Sequence, residues 1–225
     1  MTIKNYSKHI YYKLKIIMGN YSQGEEQKHI EMFFGDFKGT VLDIGANDGK
    51  TFSNSLALIE NGWNAVLLEP AQIAFNKLER LHENNPKVSC YKIAIGNQHG
   101  KTKLKVSGAH LPDGSDVALL SSLKEDETTR WRDAGVQFHE EEIIVTTFSH
   151  FKKLSGDPAF DFITIDCEGL DVDVLKQIDL TNTKLICIEW NSKPEAKAEI
   201  LEYCAKFGMT KTIYESGENL LICRQ

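Results

Sequence analysis

Three short stretches of this chain put acids and glycines where chemistry can use them. The first is Gly39-Thr-Val-Leu-Asp-Ile-Gly-Ala-Asn-Asp-Gly49, an apolar run that ends in Asp43 and passes into a turn with glycines at 45 and 49. The second is Glu69-Pro70, which closes the apolar run Ala65-Val-Leu-Leu68. The third is Asp166-Cys167-Glu168-Gly169, directly after Phe162-Ile-Thr-Ile, with Glu189 and Asn191 ending a further apolar run. An acid at the carboxyl end of a buried strand can grip a ligand's hydroxyls, and glycines let backbone approach that ligand closely. Carboxylates two residues apart can also take up a proton or hold a divalent cation.

Strand, glycine turn, helix, strand, acid is the order that holds a nucleotide-like cofactor at the edge of a parallel sheet. The turn departs from the dinucleotide fingerprint Gly-x-Gly-x-x-Gly. Asn47 stands where its second glycine belongs and Lys50 where its third does. Asparagine tolerates positive φ, so the sharp turn survives, but a pyrophosphate has less room to pass. A ligand with a ribose and no phosphate fits better, S-adenosylmethionine being the common one. An oxidoreductase using NAD or a nucleotide sugar is disfavoured on the same ground. A strand-turn-helix with no ligand is the plain alternative, and Glu69 weighs against it.

Asp166, Glu168 and Glu189 converge if their strands are neighbours. Together they could bind Mg2+, polarise an acceptor hydroxyl or act as general base. The competing reading is helix capping by Glu168 or Asp171. Residues 107–141 break the strand-helix rhythm and carry His110 and His139 with Trp131 between them. A histidine near neutrality is a natural base for an alcohol, so His110 joins the catalytic candidates. The acids 140–142 read as a solvated face.

The elements that must position these groups follow from the same pattern. Strands are expected at 40–44, 65–68, 88–95, 101–106, 142–148, 160–165 and 185–190, with helices at 53–61 and 71–82. Ser192-Lys-Pro-Glu195 has the form of a capping box that starts a helix to about Phe207, with Gly208 as its stop. Residues 210–214 and 220–224 read as a terminal hairpin. The 225 residues suffice for one α/β domain with a real core, preceded by a helical segment at 1–21. A net charge of −6 argues against nucleic acid as a partner. Five scattered cysteines without a Cys-x-x-Cys pair favour a reducing, cytoplasmic compartment. No run is long enough to span a bilayer. Lys4, Lys8, Lys13 and Lys15 lie among apolar and aromatic residues without an acid. That segment suits either peripheral contact with anionic lipid or a packing helix at the domain edge.

Asp43-Ile-Gly-Ala-Asn-Asp-Gly49, Thr51-Phe-Ser-Asn-Ser55, Gly62-Trp63, Glu69-Pro70 and Asp161-Phe-Ile-Thr-Ile-Asp-Cys-Glu-Gly169 resemble the FkbM family of S-adenosylmethionine-dependent methyltransferases. The resemblance covers about residues 22–191. It implies a Rossmann-like class I methyltransferase fold of the α/β class, doubly wound, with a mostly parallel seven-stranded sheet and an antiparallel C-terminal hairpin. It further implies that Asp43, Gly45, Asn47 and Gly49 surround the methionine part of the cofactor, and that Ser53 and Asn54 hold its carboxylate. Glu69, followed by Pro70, would take the ribose, Ile93 and Ala94 would border the adenine, and Asp166 would face the methyl donor. Gln23-Gly-Glu-Glu26 resembles a segment that lies near the cofactor in such proteins. Family members often methylate hydroxyls of sugars or complex natural products. The expected activity is therefore O-methylation of a saccharide or secondary metabolite. A cofactor-binding assembly domain without turnover is the alternative outside enzymology.

Overall fold

The structure, a computed structural model, describes residue 15 and residues 17–108 and 117–225. Most of the basic N-terminal segment and His110 lie outside these described residues.

Apolar alternation along short strands decides the two faces of the main sheet. In β1 (Thr40–Ile44), Leu42 and Ile44 pack into one layer and Val41 into the other. The same split separates Ile163 and Ile165 from Phe162 in β7 (Phe162–Ile165), and Ile186 and Ile188 from Leu185 and Cys187 in β8 (Leu185–Glu189). Strands apolar on both faces must be covered on both, and they are. Helices α1 (Glu26–Phe34), α2 (Leu56–Glu60) and α3 (Gln72–His82) cover one side through Ile30, Phe34, Leu58, Ile59, Phe75 and Leu78. Helices α5 (Phe148–Leu154), α6 (Asp171–Leu175) and α7 (Pro194–Ala205) cover the other through Phe148, Phe151, Val174, Leu175 and Ile200.

The sheet order is β3-β2-β1-β7-β8-β10-β9, where β2 is Asn64–Leu68, β3 is Val88–Tyr91, β9 is Met209–Glu215 and β10 is Asn219–Arg224. β3 to β8 run parallel, and β10 and β9 enter antiparallel as a hairpin. Strand order reverses between β1 and β7, and that switch point is where such sheets bind ligands, beyond the carboxyl ends. Asp43 pairs in register with Thr164 there, and Asp166 follows two residues later.

Four expectations need correction. The strand expected over 88–95 breaks after Tyr91, because Ile93 N–H turns back to the Tyr91 carbonyl at 3.0 Å. Its remainder, β4 (Ala94–Ile95), joins a second sheet with β5 (Gly100–Ser107) and β6 (Phe138–Thr146). Strand β6 begins at Phe138, inside the stretch read as irregular. Its acids are cross-strand partners of lysines, with Lys103 Nζ 2.7 Å and Lys105 Nζ 2.6 Å from Glu140. The helix after β1 is a single short turn of helix, Leu56–Glu60, because side chains rather than helix stitch the preceding loop. The capping box does not form: Ser192 Oγ donates to the Gly217 carbonyl at 2.6 Å, and α7 starts behind Lys193.

Candidate active site

The turn after β1 is drawn against the ends of its neighbours by backbone. Gly45 N–H and Ala46 N–H both donate to the Leu68 carbonyl, at 3.0 and 2.9 Å, and Asp166 N–H donates to the Ile44 carbonyl at 3.0 Å. A Cβ on Gly45 would collide with the Asp166 carbonyl, and its φ of 92° is open to glycine at no steric cost. Asn47 takes φ 47°, the left-handed conformation its sequence position called for.

Two of the acids in this half of the edge are held by protein donors. Asp43 is buried and accepts from Ser55 Oγ at 2.6 Å. Burial pushes its carboxyl up to about 6, with the Ser55 bond acting against the rise. Glu69 accepts Asn47 N–H at Oε2 (2.9 Å) and Ala71 N–H at Oε1 (2.7 Å). Burial pushes it up to about 7 in spite of these bonds, and the Asp43 and Glu141 carboxylates add to the rise. Glu69 therefore locks the glycine turn to the start of α3. Pro70 is half-buried beside it, and Ile93 and Ala94 sit where β3 gives way to β4.

Ser53 and Asn54 behave differently from each other. Ser53 Oγ accepts Ser55 N–H at 3.3 Å and Leu56 N–H at 3.0 Å, and so is spent on the loop that leads into α2. Asn54 Nδ2 reaches Thr164 Oγ1 and Cys187 Sγ, each at 3.5 Å, while its Oδ1 is buried with no partner. An unpartnered acceptor suits an ammonium better than the carboxylate expected of this pair. Thr164 and Cys187 carried no sequence signal beyond their place in apolar strands. The segment upstream of α1 also reaches the edge. Ser22 bridges to Phe52, and Glu26 accepts from Gly24 N–H at 2.6 Å and Asn219 Nδ2 at 3.3 Å.

The other half of the edge is more acidic and less satisfied. Asp166 is open to solvent, although protein crowds around it. Its carboxyl is pushed up to about 8 by that enclosure, then by Asp171, Asp43, Glu218 and Glu69. Enclosure first, and neighbouring acids second, drive Glu168 and Glu189 well above the ordinary carboxylate range. One carboxylate oxygen each from Asp166, Glu168 and Glu189 lies within 4.8 Å of the others. The convergence expected from sequence is thus present. Asp171 does not cap a helix end. It accepts Cys167 N–H at 2.8 Å and Gly169 N–H at 3.1 Å, bracing the turn that carries Glu168 at φ 46°. Sequence reading missed Glu218, which the β9–β10 turn brings beside Asp166 and whose carbonyl accepts Trp190 N–H at 2.7 Å.

Residues 117–137, ahead of β6, close over this half. Their helix α4 (Glu125–Asp133) buries Glu127, which pairs with Lys193 and with Arg130 Nη2 at 3.3 Å. Ser122 Oγ donates to the Glu168 carbonyl at 2.7 Å, and Lys124 Nζ lies 3.3 Å from Asp173. Gly169 has no space for a side chain, since a Cβ there would stand 2.8 Å from Glu127 Cγ. His139 is exposed on β6, away from a catalytic role.

The sequence pattern of the FkbM methyltransferase domain matches residues 43–209. The chain belongs to the FkbM methyltransferase family. The family member is an S-adenosylmethionine-dependent methyltransferase with a Rossmann-like class I fold, and the oxidoreductase alternative falls away. Similar solved structures include the ribosomal protein L11 methylase of Lactobacillus delbrueckii subsp. bulgaricus, with 13% identity, 89% of this chain and 77% of that one covered, and a TM-score of 0.46. A human methyltransferase 10 domain containing protein has 14% identity, coverage of 88% and 79%, and a TM-score of 0.49. The N-terminal domain of human METTL16 in complex with SAH has 14% identity, coverage of 86% and 65%, and a TM-score of 0.45. No curated protein shows significant sequence similarity.

The edge fits the cofactor on its own terms. S-adenosylmethionine carries a positive sulfur and an ammonium. The edge offers them acidic side chains whose ionisation burial opposes, together with the orphaned Asn54 Oδ1.

Proposed function

We propose that this family member methylates a hydroxyl group on a saccharide or secondary metabolite. The observation that carries the reading is Asp166: a carboxylate at the switch point, open to solvent, without a protein donor among the described residues, and raised to about 8. Such a group can take a proton near neutrality, as a hydroxyl acceptor requires. Thiol and amine acceptors have less need of a base.

Glu69 would hold the ribose hydroxyls, and Asp43 with Asn54 Oδ1 the cationic methionine end. When bound, S-adenosylmethionine supplies a methyl group that passes to the acceptor oxygen and leaves neutral S-adenosylhomocysteine. Asp166 takes the hydroxyl proton on a carboxylate oxygen as the oxygen–carbon bond forms. Holding acceptor and donor in line is worth on the order of 7–11 kcal/mol in the best intramolecular cases, and a general base adds about 10²–10⁴-fold. The cover formed by α4 and its Glu127–Lys193 pair supplies the acceptor side. His110, outside the described residues, belongs to the same stretch and remains a candidate base within this proposal.

The free thiols of Cys90, Cys167, Cys187, Cys204 and Cys223 support a reducing, cytoplasmic setting. Among the described residues no helix is long and apolar enough to cross a membrane. The test is to incubate the full chain with S-adenosylmethionine and a panel of hydroxylated glycans and metabolites. S-adenosylhomocysteine release with an alkali-stable methyl ether supports the reading, and methyl ester or N-methyl products overturn it. Cofactor binding without turnover on any acceptor class would favour the assembly-domain alternative.

A further inference from the structure

Hydrogen-bond donors are shared unevenly among the acids of the edge. Asp43, Glu69 and Asp171 each receive at least one donor within 3.1 Å. Among the described residues, no N–H or O–H donates to the side chains of Asp166, Glu168 or Glu189, and Glu189 Oε2 is buried with no partner at all. A buried acceptor left unmatched costs about 1–3 kcal/mol, and more when charged. The Arg130 charge acts on Glu168 from a distance, but among the described residues no cation makes an ion pair with the three carboxylates. Glu127 holds both Lys193 and Arg130, and Lys124 lies against Asp173. The sulfonium centre of the methyl donor brings charge but no N–H or O–H, so that centre gives the Glu189 oxygen no hydrogen bond.

We propose that Asp166, Glu168 and Glu189 bind one divalent cation of the hard, oxygen-seeking class, Mg2+, Mn2+ or Ca2+. The spacing suits a common ion. Ligand atoms that all lie within 4.8 Å of one another can be reached by one ion that holds oxygens at about 2.4 Å. The donor set is all oxygen. Cys167, the thiol in the same turn, points its sulfur toward the Ile44 carbonyl at 3.8 Å, so soft metals have no ligand there. The ion's chemical role, polarising an acceptor hydroxyl, rests on the O-methylation reading. Its binding does not.

Mn2+ titrated into the full chain saturated with S-adenosylhomocysteine, and followed by the paramagnetic resonance of free Mn2+, tests the site. One saturable site is expected, displaced by Mg2+ and weakened at least tenfold in Glu189→Gln and in Glu168→Gln. Glu140→Gln, on the exposed β5–β6 ladder, should leave Mn2+ affinity unchanged. Calorimetry with S-adenosylhomocysteine checks that each variant keeps its cofactor site. Absence of a saturable site in the wild type overturns the proposal, which needs no variant to fold. So does undiminished binding in both glutamine variants. Saturable Mn2+ binding without any methyl ether product would leave the ion site standing and sink the O-methylation reading. Ether formation in EDTA with no Mn2+ site would do the reverse.

Discussion

The carboxyl edge of the sheet is built from two unlike halves. On the β1–β2 side, the acids are braced: Asp43 by Ser55, and Glu69 by two backbone N–H groups. On the β7–β8 side, Asp166, Glu168 and Glu189 face one another without such braces, and only Asp171 below them is satisfied. Braced acids hold still, which suits gripping a ribose and a charged tail in one pose. Unbraced acids keep their lone pairs available, which suits taking a proton or holding an ion. On the proposed reading, the same kind of residue does binding work in one half and reactive work in the other. Local backbone strain is spread over both. Left-handed non-glycine residues include Asn47 and Phe52 in one half and Glu168, Asn191 and Ser192 in the other.

The largest expected effect tests the reactive half. Asp166→Asn should slow methyl transfer about 10²–10⁴-fold, measured by single turnover. It should also remove the rise of rate with pH toward about 8. Unaltered turnover would erase the distinction between the halves. Next comes the binding half. Glu69→Ala removes the ribose acceptor and orphans Asn47 and Ala71 N–H. Affinity for S-adenosylhomocysteine by calorimetry should fall about 10–100-fold, matching a loss of about 1–3 kcal/mol. Glu69→Gln, which keeps one acceptor oxygen, should fall less.

A third effect concerns pH and the cofactor-free protein. Asp43 at about 6 and Glu69 at about 7 are raised above their unfolded values, so the folded state holds these protons more tightly than the unfolded chain. Their contribution to stability is full below about pH 4 and is lost as pH rises through about 6 and 7. Melting temperature should therefore climb as pH is lowered from 8 to 5.5, by an amount on the order of a few kcal/mol in stability. S-adenosylmethionine should flatten that slope by supplying positive charge. A slope of opposite sign would show that the acids ionise without penalty. The smallest effect is expected far from the edge. Glu140→Gln on the exposed lysine ladder should leave melting at physiological salt unchanged, because exposed ion pairs are screened.

Much of the binding half was legible in the sequence because its signals are local. β1 and the acid after β2 are contiguous apolar runs with their acids in place, and the glycine turn declares itself by type. The convergence of Asp166, Glu168 and Glu189 was also legible, since neighbouring parallel strands place their carboxyl ends together. What escaped depends on contacts distant in sequence. Glu127 reaches Lys193, Glu218 arrives beside Asp166 from the hairpin turn, and Asp171 spends its oxygens on the 167–169 turn rather than on a helix end. Glu140 and Glu142 do lie on the solvated face expected of them, but their lysine partners sit on β5, some forty residues earlier. Ser192 met the capping-box pattern, but the Gly217 carbonyl took its hydroxyl instead. Local chemistry proposes a partner, and the tertiary fold can offer a better one.

The division between the halves is tested most directly by one paired measurement on Asp166→Asn: S-adenosylhomocysteine affinity by calorimetry and single-turnover methyl transfer on the same preparation. The account predicts affinity within about threefold of wild type and a rate at least about 100-fold lower. Equal losses in both, or a rate that does not change, would contradict it.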